Sequence, residues 1–160
     1  MSRLTGLTLV LLLIALDQLS KFWVESYLPL QQPIDLLPVL ALFRTYNTGI
    51  AFSLLAGTGD LFLIAISLAI CGFIAWLWAR SETDRNWARL GYAFVIGGAL
   101  GNLIDRLRFG HVIDFILFHA GDWSFAVFNL ADSFITIGAA LILIEEVLSA
   151  RNGGPPPQGD

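Results

Sequence analysis

Two aspartates in this chain stand among apolar neighbours, with no cation close by in sequence. Asp114 lies between Ile113 and Phe115, and Asp132 follows Leu130 and Ala131. An Asp at the centre of a membrane span costs roughly 2.5–3.5 kcal/mol on insertion, so a carboxylate in such a place needs a reason. One reason is chemistry. Two carboxyls in a poorly hydrated site cannot both be ionised cheaply, so they share a proton and titrate as a pair. The ionised member can act as general base on a water, while the protonated member hydrogen-bonds a substrate carbonyl. The other reason is transport: Asp17, Asp114 and Asp132 could line a proton path, and a carboxylate in such a path is equally sound physically.

Ten of the other eleven acids read more simply. Glu82 and Asp84 sit beside arginines as solvated charges, and Glu145 and Glu146 close the last apolar run in the same way. Asp35, Asp122 and Asp160 fall in loops. Asp60 follows Gly57, Thr58 and Gly59, a Gly-x-Gly-Asp string shared with one class of intramembrane aspartyl protease. Here the string precedes an apolar run, which suits a helix N-cap. Asp17 and Lys21 are four residues apart, on one helix face, as a mutually neutralised pair. Asp105 adjoins Arg106, but neighbours in a helix do not face each other, so each needs another partner. Asn102 lies one turn before Arg106, on a face that can orient a carboxylate or a peptide carbonyl. Asn129 lies one turn before Asp132. His111 and His119 are eight apart without a ligand cluster, so no metal or other cofactor is implied. A Ser–Lys peptidase finds little support: Lys21 is the only lysine, Ser20 is adjacent to it, and Ser53 has no evident tie to it. Cys71 is the single cysteine and reads as a small core residue.

The elements that must position these groups are membrane helices. The chain of 160 residues is 56% hydrophobic and only 14% charged, against about 25% charged in soluble domains. Four apolar runs stand out: 4–24, 61–79, 90–104 and 123–144, where a span requires ~20 residues; the third run is the shortest, uncharged over 15 residues, and can extend to Leu107. The expected fold class is therefore an all-α membrane protein with four transmembrane helices, a single domain over 1–150 and a disordered Pro-rich tail over 151–160. The third run holds Gly97, Gly98 and Gly101, which suits close helix packing. On this reading Asp132 lies about 13 Å along the fourth helix, at ~1.5 Å per residue. The first run keeps its place as a helix, because no Ala-x-Ala-like cleavage site follows it. Arg3, Arg80, Arg85, Arg89 and Arg151 fall on one side of the membrane. Lys21, Arg44, Arg106 and Arg108 fall on the other. The dense loop 80–89 makes its side cytoplasmic, with both termini. No basic patch suggests nucleic acid. Outside lie two connections. In 25–60, Pro29, Pro33 and Pro38 break any helix. Val39, Ala41, Phe43 and Thr45 alternate toward a turn at Asn47, Thr48 and Gly49, with a second strand expected over 50–55. A small extracytoplasmic β-containing subdomain is expected within 25–60. The connection 108–122 is apolar enough to fold back toward the bundle.

The strings DQLSK (17–21), YNTGIAFS (46–53), GGALGNLIDR (97–106), HVIDF (111–115) and FNLADS (128–133) follow one another across these runs. In this order and spacing the chain resembles the lipoprotein signal peptidases, the bacterial signal peptidase II family, over roughly 4–148. The resemblance implies an aspartyl endopeptidase of the bacterial inner membrane. Its substrates are diacylglyceryl-modified prolipoproteins, cut just before the lipidated cysteine, and its fold is four helices with an extracytoplasmic β-cradle. It places the catalytic aspartates on Asp114 and Asp132. The family's substrate-side polar residues fall on Asn47, Asn102, Arg106 and Asn129, and its first-helix pair on Asp17 and Lys21. It implies no cofactor. A monomer is expected, meeting membrane lipids and a signal helix that arrives sideways from the bilayer, with the acyl chains left outside the bundle.

Overall fold

The computed structural model describes residues 1–49, 59–82, 84–121 and 123–152. In chain order these form α1 (Arg3–Tyr27), β1 (Pro33–Leu37), β2 (Leu40–Asn47), α2 (Gly59–Arg80), α3 (Asn86–Phe109), β3 (Val112–Ala120), β4 (Trp123–Ser124) and α4 (Leu130–Asn152). The strand expected over 50–55 and the tail over 153–160 lie outside the described residues, as does the side chain of Asp60.

Among the described residues three helices, α1, α2 and α4, are long and apolar enough to cross a membrane. Their outer faces carry large exposed apolar side chains, among them Leu4, Leu11, Phe22, Leu61, Phe73 and Leu143. Such a surface is suited to hydrocarbon rather than water. The third helix is as long but more polar, and it packs against all three of the others. Buried Arg89, Asn102 and Asp105 lie on it, so its polar groups are answered by protein. Its glycines set the spacing. A Cβ on Gly98 would lie 2.4 Å from the carbonyl oxygen of Ala131, and one on Gly101 would lie 2.5 Å from Asp17 Oδ2. Only a bare Cα lets α4 and α1 come this close.

At the end of the bundle that carries the start of α1 and the end of α4, the two glutamates read as solvated have partners. Glu145 Oε2 accepts from the backbone N–H of Trp87 and Ala88, at 3.0 and 3.3 Å. It thereby caps α3 from α4, meeting donors that a helix start leaves free. Glu146 pairs with Arg85 at 2.6 Å. Arg89 is buried, and its Nη1 donates to the carbonyls of Ser81 and Glu82.

At the other end stands an antiparallel sheet in the order β1-β2-β3-β4. Thr45 pairs with Asp114 and Asn47 with Val112. The sheet thus draws on both connections and is not confined to 25–60. The second connection is largely β3. Its first four residues are all buried, so it lacks the alternation that marks a half-buried strand. Gly110, at φ 72°, ends α3 in the left-handed conformation, and β3 starts two residues on. Arg44 fastens the sheet to the bundle: its Nη1 donates to the carbonyls of Glu25 and Leu28, both at 2.9 Å, at the end of α1.

The last helix starts at Leu130, seven residues later than the apolar run. Trp123 and Ser124 pair with β3 instead. Phe128 N–H donates to the Ile116 carbonyl at 3.0 Å, and the Phe128 carbonyl accepts from Phe115 and Ile116. Backbone groups before the helix find partners on the free edge of β3. Asp132 is therefore in the first turn of α4, not deep within a span.

Candidate active site

The Phe128–Ile116 bridge lays the start of α4 beside β3, two residues from Asp114. From that point one side chain joins the two aspartates. Asn129 is fully buried. Its Nδ2 donates to Asp114 Oδ1 at 2.6 Å, and its Oδ1 accepts from the backbone N–H of Asp132 at 3.0 Å. Asp132 Oδ2 accepts in return from the backbone N–H of Asn129 at 3.2 Å. This reciprocal pair is a capping box with Asn at the cap and Asp three residues on. It fixes Asp132 and Asn129 as a unit at the positive end of the α4 dipole.

Each carboxylate has a further amide donor. Asn47, exposed at the end of β2, donates to Asp114 Oδ2 at 2.9 Å. Asn102 on α3 donates to Asp132 Oδ1 at 2.8 Å, while its Oδ1 accepts from Asn129 at 3.1 Å. Asp114 is buried, and its carboxyl is raised to about 6. Burial is the main cause. The Asn47 hydrogen bond opposes it, the neighbouring Asp132 charge adds to it, and Asn129 and Lys21 oppose it. Asp132 is half-buried and borders an open groove of about 420 Å³, walled by Phe118, Phe125, Phe128 and Ile137. A buried carboxyl with a raised affinity for its proton, beside a second carboxyl that borders an apolar groove, has the parts that general acid–base hydrolysis requires.

Behind Asn102 lies a buried ion cluster. Lys21 Nζ is 2.8 Å from Asp17 Oδ2 and 2.8 Å from Asp105 Oδ2, and donates to Asn102 Oδ1 at 2.9 Å. Its three donors are thereby all engaged. Gln18 Nε2 reaches Asp105 Oδ1 at 2.8 Å and Asp17 Oδ2 at 3.2 Å. The first-helix pair is thus real but shared, and Asp105 has its partner in Lys21.

The sequence of this scaffold matches a known one. Residues 9–148 fit the family model for signal peptidase (SPase) II. The chain belongs to the signal peptidase II family, an aspartic peptidase family. It is 54% identical over 142 residues to a lipoprotein signal peptidase of Sinorhizobium fredii, covering 89% of this chain and 86% of that one. It is 56% identical over 147 residues to that of Brucella ovis, covering 92% of each. A solved structure of a bacterial membrane enzyme superposes with a TM-score of 0.82 at 27% identity, covering 89% of this chain and 92% of the other. A second does so with a TM-score of 0.83 at 26% identity, covering 97% and 94%. The protein is thus a multi-pass membrane peptidase of the signal peptidase II type.

Within this signal peptidase II fold, Asn47, Asn102, Asn129, Asp114 and Asp132 meet in one network, and Asp17 and Lys21 reach it through Asn102. Arg106 Nη1 donates to the Asn102 carbonyl at 3.5 Å, within its own helix. Gln18 and the carboxylate of Asp105 belong to the supporting layer. Gln18 carried no signal beyond its place beside Asp17. The capping box was readable in FNLADS, since a cap residue followed three positions later by an acid marks a helix start.

Proposed function

We propose that Asp114 and Asp132 are the catalytic dyad of this peptidase. Its substrate is a diacylglyceryl-modified prolipoprotein, cut just before the lipidated cysteine. The observation that carries the reading is the single residue Asn129, whose side chain donates to the Asp114 carboxyl and whose backbone N–H donates to the Asp132 carboxyl, beside an apolar groove. In the proposed reaction Asp132 takes a proton from a water molecule as that water attacks the scissile carbonyl carbon. Asp114, protonated, hydrogen-bonds the carbonyl oxygen as it gains charge. The tetrahedral carbon then collapses, the C–N bond breaks, and a proton passes to the departing amine. Asn102 and Asn129 hold the carboxyls, and Asn47 is the donor nearest solvent. Arg106 is assigned to the polar part of the substrate.

The polar α3 crosses the bilayer as a fourth span, shielded by α1, α2 and α4. The arginines at 80, 85 and 89 support a cytoplasmic position for the end with both termini, which puts the sheet and dyad near the outer face of the bacterial inner membrane. The groove supports lateral access from lipid, with the acyl chains outside the four helices. The test is cleavage by the purified protein of a diacylated prolipoprotein peptide beside its unmodified form, both inserted in bilayers. Release of the signal peptide at the lipidated cysteine is expected for the diacylated form alone. Equal rates on both would sink the assigned role of the lipid.

A further inference from the structure

The backbone just ahead of each dyad member is held by a buried carboxylate. Asp105 Oδ2 accepts from the N–H of Ile113 at 3.3 Å, one residue before Asp114. Asp17 Oδ1 accepts from the N–H of Ala131 at 3.1 Å, one residue before Asp132. Ile113 and Ala131 are 1% and 0% exposed, so water cannot serve as the alternative acceptor. At Ala131 the donor is one of those that a helix start leaves free. Both carboxylates are clamped by the same ammonium, Lys21, at 2.8 Å each. Gln18 joins them from the side and also donates to the Gly101 carbonyl at 3.2 Å. The slot is cut to this arrangement, since a Cβ on Gly101 would meet Asp17.

We infer that Asp17, Lys21 and Asp105, with Gln18, form one alignment device that sets the spacing of Asp114 and Asp132. It does so by gripping the peptide N–H directly before each. None of its members meets the reacting atoms, so these are positioning residues. The inference rests on the dyad assignment above. A neutralised ion pair placed only for stability would need one anion. Here one cation holds two anions, and each anion spends an oxygen on a backbone N–H beside a different aspartate. A dyad built from two separate elements, β3 and α4, needs a common reference of this kind. Displacement of catalytic groups by about 1 Å can cost roughly 100-fold in rate.

Charge-matched substitutions separate the grip from the charge. Asp105→Asn and Asp105→Leu both remove one negative charge, but only Asn keeps an oxygen able to accept from Ile113. Asp17→Asn and Asp17→Leu form the same comparison at Ala131. On a diacylated peptide, the leucine variants should lose roughly 100-fold in kcat with KM within about threefold. The asparagine variants should lose less than roughly 10-fold. Within a pair the limbs of the pH profile should coincide, because the charge change is the same. Equal losses within each pair would overturn the inference, and so would leucine variants with wild-type kcat. Hydrogen exchange at the amides of Ile113 and Ala131 gives a second readout that needs no turnover. Each should stay protected in its asparagine variant and open in its leucine variant. Where a leucine variant does not fold, loss of protection in the folded asparagine variant overturns the inference, and retained protection supports it. Failure of wild type to cleave would count against the substrate reading alone, since exchange still tests the grip.

Discussion

Asn102 divides two groups of carboxylates with opposite fates. On one side Asp17 and Asp105 are wholly buried, clamped by Lys21, and every strong donor near them is used. On the other side, among the described residues, Asp114 and Asp132 accept from neutral amides and one backbone N–H. Asp132 is left half-buried at a groove. The ion cluster is buried, and all three donors of its ammonium are engaged. The dyad is open, and among the described residues no salt bridge joins a cation to either member. Neutral amides orient a carboxyl without fixing its charge as an ammonium does. A pair that must pass a proton back and forth needs that freedom, and a pair that must hold a frame needs the reverse.

Substitution at the open side should have the largest effect. Asp114→Asn or Asp132→Asn should abolish cleavage of a diacylated peptide while leaving the protein folded and inserted. Substantial turnover by either purified variant would break the distinction between the two groups. Next comes the closed side. Lys21→Met strands two buried carboxylates, and the loss of a buried partner typically costs about 3–5 kcal/mol. Unfolding in detergent should show a loss on that order, and a change below about 1 kcal/mol would mean that the cluster is better hydrated than its burial implies.

A smaller effect is a shift in pH. Asp114 is raised to about 6, so it holds its proton up to that region and releases it above. The folded value lies above the ~3.9 of an unfolded aspartate. Its contribution to stability is therefore full below the unfolded value and is lost as pH rises through about 6. Asn47 donates to Oδ2 and favours the charged form. Asn47→Ala should therefore raise the carboxyl further and move the alkaline limb of kcat/KM to higher pH. A shift to lower pH would show that the limb belongs to another group. Smallest is the far end of the bundle. Arg85 and Glu146 are 28% and 56% exposed, and an exposed pair contributes about 0–1 kcal/mol. Arg85→Ala should leave cleavage unchanged and stability within that range in thermal unfolding.

Much of this was legible beforehand, for physical reasons. Asp114 and Asp132 stood out because carboxylates among Ile, Phe, Leu and Ala are costly. The helices stood out because apolar runs of span length are rare in soluble chains. The start of α4 was misplaced because Trp123 to Phe128 is as apolar as the helix that follows, yet it pairs along β3. β3 itself was hidden because residues 112–115 are buried throughout and show no alternation. The cluster of Asp17, Lys21 and Asp105 could be read only as far as one helix face. Residues 17 and 105 meet because glycines on α3 let α1 approach, and nothing in either local string records that contact.

The central claim is that Asp114 and Asp132 act together on one carbon. A structure with a non-cleavable peptide analogue, in which a hydroxyl replaces the scissile carbonyl, tests it most directly. That hydroxyl imitates the tetrahedral intermediate. It should lie within hydrogen-bonding distance, about 2.5–3.0 Å, of an oxygen on each aspartate, with the lipid-bearing side of the analogue toward the groove of Phe118 and Phe128. A hydroxyl bound to only one carboxyl, or seated away from both, would contradict the account.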